Sequence, residues 1–437
     1  MNSKKRDILI MGFALFAIFF GAGNLIFPPM LGNMAGSRWS IATAGFLSTD
    51  PVLPILGVIA TALVGGRPED LGKRVSPRFG IFLSAIAILL IGPILSVPRT
   101  AATTFEIAIK PYINSNYSNM AMVGTSIIFF AVTYYFCMNE SNVINIIGKF
   151  LTPGLLIVLA AIIIKCIFIP IGPIVETDMT NPYHFGFTEG YQTMDALGSP
   201  LMCGIVLTDL IRKGYTTRKE QKNMIIKVGI VAGVLLMFIY GGLAFVGATT
   251  SSIPETDRVL LLLKSINSIY GNTGKIIMGV AVTLACLTTS VGLIATAGNF
   301  FNYTSKGRIS YIGVVRISII VSTLISLLSV SGIVKLATPM LLTIFPIIIV
   351  LIFLTLFDNY IKYDLSYVGP VISAGIIGLI DALHSTFNMF DKLYSYIEML
   401  PFAKSGFPWL VPSIIFFIVF TILGALIQSK DTKKISL

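Results

Sequence analysis

Long, nearly uninterrupted apolar runs limit what this chain can fold into more than any other feature. They lie near residues 8–36, 41–65, 79–109, 119–138, 150–172, 190–211, 224–249, 275–303, 309–331, 333–357, 366–386 and 407–428. A bilayer's hydrocarbon core takes about 20 apolar residues of helix to cross, so these runs predict about 12 transmembrane helices. Lipid offers backbone amides no partner, which makes helices the default crossing element, and the alternating pattern of a membrane β-barrel is absent. Composition agrees: 55% of the 437 residues are hydrophobic and 12% charged, against about 25% charged in a soluble domain. The expected fold class is an all-α polytopic membrane protein embedded in a lipid bilayer.

The charged connectors alternate. Lys4, Lys5 and Arg6, then Arg67, Lys73, Arg74 and Arg78, then the group from Arg212 to Lys227, then Lys306, Arg308, Lys362, Lys430, Lys433 and Lys434 fall on one side of the count. The positive-inside rule makes that side cytoplasmic and places both termini there. The formal net charge of +11 is thereby explained by topology and by attraction to an anionic lipid surface, without a nucleic-acid partner. Lys4 to Arg6 before an apolar run resembles a secretory signal, but no A-x-A-like cleavage site follows and the run continues to about Gly36. A retained first helix is the expectation.

Several functions are disfavoured. Cys137, Cys166, Cys203 and Cys286 stand singly in apolar segments, and His184 and His384 are far apart, so neither a disulfide framework nor a zinc site is indicated. No GxxxxGK[ST], HExxH or GxSxG is present, and no nucleophile–base spacing marks an enzyme, so no catalytic residue is assigned. An ion channel would line a continuous pore with polar groups, whereas here they gather at a few points.

The first of those points is "GAGN" (Gly21 to Asn24), in the middle of the first run and followed by Phe27, Pro28 and Pro29. Glycine weakens a helix and proline removes a donor. A second interruption, Gly198, Ser199 and Pro200 just after Asp195, falls in the sixth run. Runs one and six are related by the offset of inverted five-helix repeats, and paired breaks in corresponding helices point to the midplane site of a secondary transporter. Unwinding frees N–H groups suited to a carboxylate and carbonyls suited to a cation, so a small zwitterion with a hard cation is the favoured ligand pair. In the eighth run, Ala285, Thr288 and Thr289 can converge one carbonyl and two hydroxyls on a cation; alternatively the threonines bond back to their own helix.

Charges inside the apolar runs are costly and usually functional or paired. Asp195 either meets a substrate ammonium or accepts the freed amides of its own helix. Arg99 and Glu106, about two turns apart on one face, are expected to belong to a structural network, and Asp50 and Asp381 to pair locally. On the outer side, the connector from Thr249 to Gly274 holds an amphipathic run around Asp257 to Ile269, either a surface helix or part of a lid.

Taken together, "FGAGNLIFPP", "GPILSVPRTAATTFE", "TMDALGSPL" and "LACLTTSVGL" resemble the bacterial branched-chain amino acid:cation symporters across essentially the whole chain. The resemblance implies a LeuT-type fold: a first five-helix repeat in 1–172, a second, inverted repeat in 190–357, and two additional helices with a cytoplasmic tail in 366–437. It implies import of L-leucine, L-isoleucine and L-valine across a bacterial cell membrane by alternating access, with Na+ as coupling ion and H+ as the alternative. The sodium ligands implied are the carbonyls of Ala17 and Phe20 with Ala285, Thr288 and Thr289. The substrate carboxylate would lie against the amides of Gly21, Ala22 and Gly23 beside Asn24. The ammonium would lie near the carbonyls running from Met194 through Asp195, Ala196 and Leu197 to Gly198. Phe19, Phe20 and Leu197 would line the side-chain pocket, and such an apolar pocket separates substrates differing by one methylene by only about 1–3 kcal/mol.

Overall fold

A computed structural model describes residues 3–138, 143–253 and 255–435. Among these residues every regular element is a helix. In chain order they are α1 (Ser3–Phe19), α2 (Ala22–Ala35), α3 (Trp39–Leu47), α4 (Leu53–Val64), α5 (Pro77–Leu89), α6 (Ser96–Thr104), α7 (Ser118–Met138), α8 (Val143–Phe168), α9 (Pro182–Tyr191), α10 (Asp195–Arg212), α11 (Arg218–Ala248), α12 (Arg258–Thr304), α13 (Tyr311–Ser326), α14 (Ser329–Leu356), α15 (Leu365–Phe387), α16 (Asp391–Glu398) and α17 (Leu410–Ile435).

Eight described segments are long and apolar enough to cross a bilayer, or nine if the bent pair α9 and α10 counts as one span. The sequence predicts about twelve. Among the described residues, the first two predicted spans contribute one 43-residue segment, Ala22–Val64, beyond the break after α1, and Tyr311–Ser326 is a shorter apolar helix. Exposed apolar stripes such as Ile414, Ile418, Ile422 and Leu426 on α17 suit a lipid-facing surface.

Helical breaks fall where backbone donors or dihedrals demand them. Between α1 and α2 the chain is extended at Gly21 (φ −105°, ψ −171°). Between α3 and α4 a π-type turn, Ser48–Val52, holds Asp50 in an extended conformation (φ −144°, ψ 113°), and the Asp50–Pro51 peptide is cis. Within α12, Gly271 sits at φ 62° and kinks the helix, so the outer amphipathic run forms its first part, capped by Asp257 Oδ1 accepting from Val259 N and Leu260 N at 2.9 Å.

The second expected break is displaced. Gly198, Ser199 and Pro200 are helical, inside α10; the bend of 47° lies before it, at residues 192–194, where Met194 takes φ 67°. Pro200 cannot donate to Ala196 O, four residues back, and Ser199 Oγ donates to that carbonyl instead at 2.7 Å. The serine hydroxyl lets the helix run through its proline.

The helices cluster into two compact units. The first comprises Met1–Pro51, Ala85–Asp195 and Lys227–Ala337. Here α3 packs closely along α9, because Gly45 and Gly186 leave no side chain between the helices: a Cβ at either would strike the other's backbone. Thr49 Oγ1 donates to Phe187 O at 2.8 Å across the same contact. The second unit comprises Val52–Ser84, Ala196–Ile226 and Thr338–Leu437. In it Arg74 donates to Asp358 Oδ1 at 2.8 Å, Asp364 Oδ1 at 2.7 Å and Ile361 O at 2.9 Å, while its guanidinium lies 4.7 Å from the Tyr367 ring centroid.

Candidate functional site

In the first unit, three interruptions of helical backbone converge on one side-chain amide. Asn24 is the third residue of α2, just past the first break. Its Oδ1 accepts the Gly21 N–H at 3.3 Å, satisfying one of the donors that a helix start leaves free. Its Nδ2 is 2.7 Å from Asp195 Oδ2, 3.2 Å from Asp50 Oδ2 and 2.5 Å from the Tyr240 hydroxyl. An amide nitrogen carries two protons, so three acceptors share them. Asp195 is the first residue of α10, directly after the second break, and Asp50 is the extended residue between α3 and α4. Asn24, Asp50 and Tyr240 are fully buried and Asp195 nearly so.

Arg99, on α6, closes the far side. Its Nη1 donates to Gln192 O at 2.6 Å, inside the second break, and its charge acts on Asp195. Gly23 accommodates it: a Cβ there would lie 2.5 Å from Arg99 Nη2 and 2.9 Å from Cζ. Phe27 lies under two guanidinium groups, Arg99 at 5.2 Å and Arg258 at 5.4 Å from its centroid, and Arg258 is held by Glu189 at 2.6 and 2.9 Å.

Several expectations change accordingly. Asp50 does not pair locally; it meets residues of α2, α10 and α11. Arg99 and Glu106 serve different places, for Glu106 Oε1 accepts Val330 N at the start of α14, 3.0 Å away. Gly23 gives close approach to a guanidinium of the chain itself, whereas Gly21 is open: a Cβ there would meet nothing nearer than 3.8 Å, one of those neighbours being Thr289 Cγ2. Asp381 does pair locally, accepting from Ser385 Oγ at 3.3 Å.

The expected cation ligands divide. Ala17 and Phe20 stand at the end of α1, where Phe20 N still donates to Phe16 O at 2.8 Å, and Thr289 on α12 faces the adjoining Gly21. Thr288 Oγ1 bonds back to Ala285 O at 2.8 Å, yet each oxygen retains a lone pair. Phe19 is buried, and Phe20 stacks on Phe16 at 5.2 Å and on Tyr240 at 6.1 Å, with Phe46 edge-on to Tyr240 at 5.6 Å. An aromatic wall therefore adjoins the carboxylates. Ala22 is buried in the first turn of α2; Met194 closes the bend, and Ala196, Leu197 and Gly198 are buried in the first turns of α10, in the second unit.

Asp50, Tyr240, Glu189 and Gln192 were not singled out by motif. An acidic residue followed by proline inside an apolar run was the available signal for Asp50; a tyrosine in an apolar helix carries none.

Comparison with known proteins adds identity to this geometry. The family model described as branched-chain amino acid transport protein matches residues 4–427. Branched-chain amino acid permease BraB of Bacillus subtilis (strain 168) is 35% identical over 440 residues, 99% of this chain and 98% of that protein. Branched-chain amino acid permease BrnQ of the same organism is 37% identical over 427 residues, 94% and 96% of the two chains. Among solved structures, the nucleobase-cation-symport-1 family transporter Mhp1, closed with bromovinylhydantoin bound, superposes with a TM-score of 0.58 over 96% of this chain and 92% of its own at 12% identity. That likeness is one of fold, and the fold is the expected LeuT type.

Proposed function

The chain belongs to the branched-chain amino acid transport protein family, and from that premise we propose that it imports L-leucine, L-isoleucine and L-valine by cation symport, with Na+ as coupling ion. The observation that carries the cation assignment is the proximity of Thr289 on α12 to Gly21, at the open end of α1, where a Cβ would lie 3.8 Å from the Thr289 Cγ2 methyl. Carbonyls of Ala17 and Phe20 with the oxygens of Ala285, Thr288 and Thr289 form a hard donor set of the kind a small monovalent cation takes. The substrate carboxylate takes the start of α2 at Gly21 and Ala22, where helix-terminal N–H groups and the macrodipole favour an anion. The apolar side chain rests against Phe19 and Phe20.

Within the two five-helix repeats, 1–172 and 190–357, the four-helix bundle that contains the first and sixth runs rocks against the scaffold in alternating access and releases cation and amino acid to the cytoplasm, in a chain of about twelve crossings with both termini cytoplasmic. Binding is reciprocal: whatever factor sodium adds to leucine affinity, leucine adds to sodium affinity. The test is uptake of labelled L-leucine into liposomes under an inward sodium gradient, an inward proton gradient, or neither. Sodium-driven uptake supports the reading. Proton-driven uptake indifferent to sodium transfers coupling to a carboxylate such as Asp195 or Glu106, and uptake that does not saturate or exchange identifies a channel.

A further inference from the structure

The polar knot around the two breaks is one positive charge short. Its ionisable members are Asp50, Asp195, Glu189, Arg99 and Arg258 on the surrounding elements, with Tyr240 neutral. Arg258 is committed to Glu189, at 2.6 Å, and Arg99 acts on Asp195, which leaves Asp50 with no cationic partner of its own. Charges buried at membrane depth persist only when balanced. A second, separate observation gives the deficit a location: the Asp50 carboxyl interacts with Thr193, Asp195 and Tyr240 and its Oδ2 is taken by Asn24, yet the buried Oδ1 has no hydrogen-bond partner of good geometry. A buried carboxylate oxygen without a donor is costly.

We infer that Asp50 and Asp195, gripped by the Asn24 amide, are the seat of the substrate's primary ammonium group, with Asp50 Oδ1 its direct acceptor. The inference rests on the amino-acid transporter reading and deepens it, since the family resemblance implies only an ammonium near backbone carbonyls around Met194 to Leu197. An ammonium supplies three donors and a local positive charge, which meets the orphaned oxygen and offsets the two carboxylates nearest it, while the α2 amides take the negative end of the same neutral molecule. The surroundings select it over a bare ion: the rings of Phe20, Phe46 and Tyr240 give an alkyl chain attached to the nitrogen an apolar wall, and the open Gly21 backbone lies one hydrogen bond from Asn24, in position for the carboxylate end of the same molecule. The first turn of α2 therefore serves both ends of a zwitterion, amides for the carboxylate and Asn24 with its two aspartates for the ammonium. Asp50 thus becomes a substrate-binding residue, and Asn24 a positioning residue that holds the pair.

The test compares L-leucine with 4-methylpentanoate, the same molecule without its ammonium, as competitors for labelled L-leucine on purified full-length protein, wild type against Asp50→Asn and Asp195→Asn. In the wild type the deaminated acid is expected to bind on the order of 100-fold more weakly. In the variants that ratio is expected to collapse toward unity, because leucine binding falls while binding of the acid does not. A purely structural role would weaken both ligands together, so an unchanged ratio in folded variants overturns the assignment. Variants that keep the ratio but lose sodium or proton dependence also overturn it, by making the pair a coupling-ion site. Should the variants fail to fold, a structure of leucine-bound wild type decides: an ammonium nitrogen hydrogen-bonded to Asp50 supports the assignment, and one beyond contact with both aspartates overturns it. A wild type that binds no branched-chain amino acid at all refutes instead the transporter reading.

Discussion

Asn24 and Asp195, 171 positions apart in the chain, meet at 2.7 Å between Nδ2 and Oδ2, so the first turn of the helix after the first break is bonded directly to the first residue of the helix after the second. Removing the amide would strand two buried carboxylates. Asn24→Leu is expected to destabilise the folded protein by about 3–5 kcal/mol and to abolish leucine uptake, whereas Asn24→Gln retains part of both. Thermal unfolding in detergent, read alongside liposome uptake, measures this; an Asn24→Leu protein as stable as wild type would show that the carboxylates have other partners.

Gly21 and Gly23 are separated by one residue and differ in what faces them. A Cβ at Gly23 collides with the Arg99 guanidinium and with Phe27 Cε2, 2.9 Å away, whereas one at Gly21 meets only ordinary contacts at 3.8 Å, and Gly21's φ of −105° is open to any residue. Gly23→Ala is therefore expected to cost about 1–3 kcal/mol through overpacking, while Gly21→Ala leaves stability within about 0.5 kcal/mol and impairs leucine binding by narrowing the open backbone. Unfolding midpoints and leucine affinities of the two variants form the comparison, and equal stability losses would refute it.

The same pair of glycines shows how much of the site was legible in the sequence. The first break was readable because its causes are local: glycine, asparagine and two prolines within nine residues. The second was placed a turn too late, at Gly198 to Pro200, because the rescue of the Ala196 carbonyl by the Ser199 hydroxyl depends on a rotamer that composition does not state. Arg99 was visible as an intramembrane charge, but its neighbour Gly23 lies in another helix. Asp50 and Tyr240 join the site only through tertiary packing of α2, α10 and α11, which no spacing encodes. Helical class followed directly from hydropathy, since lipid leaves the backbone few alternatives.

Outside the apolar spans, Glu255 offers a pH signature. Lys264 Nζ lies 2.6 Å from Glu255 Oε2, and that hydrogen bond holds the carboxyl below its usual range despite partial desolvation, with the Thr256 and Asp257 amides assisting. Because the folded value is depressed, the pair's contribution to stability is present above the ordinary glutamate range and is lost as pH falls through the folded value. Lys264 is half exposed, so the contribution is small, about 0.2–1 kcal/mol. Carbon-13 NMR of Glu255 should show its titration moving upward in Lys264→Gln; an unmoved midpoint would mean the two side chains do not pair in solution.

Thr288 and Thr289 should separate in their effect on coupling. Thr289 lies beside the break at Gly21, so Thr289→Ala removes a hydroxyl from the proposed cation site and is expected to raise the sodium concentration for half-maximal leucine uptake about tenfold, the loss of one hydrogen-bond-sized interaction. Thr288 shares its hydroxyl with Ala285 O, so Thr288→Ala also frees that carbonyl, and its effect is expected to be smaller. Linkage adds a second readout: in sodium-free buffer Thr289→Ala should bind leucine as the wild type does, while the sodium concentration that gives half of the enhancement of leucine affinity rises by the factor seen in uptake. Leucine affinity measured across a sodium series yields both numbers. An unchanged sodium dependence would reduce Thr289 to a packing residue and move the coupling ion elsewhere, whereas a loss of leucine affinity without sodium would make Thr289 part of the substrate pocket.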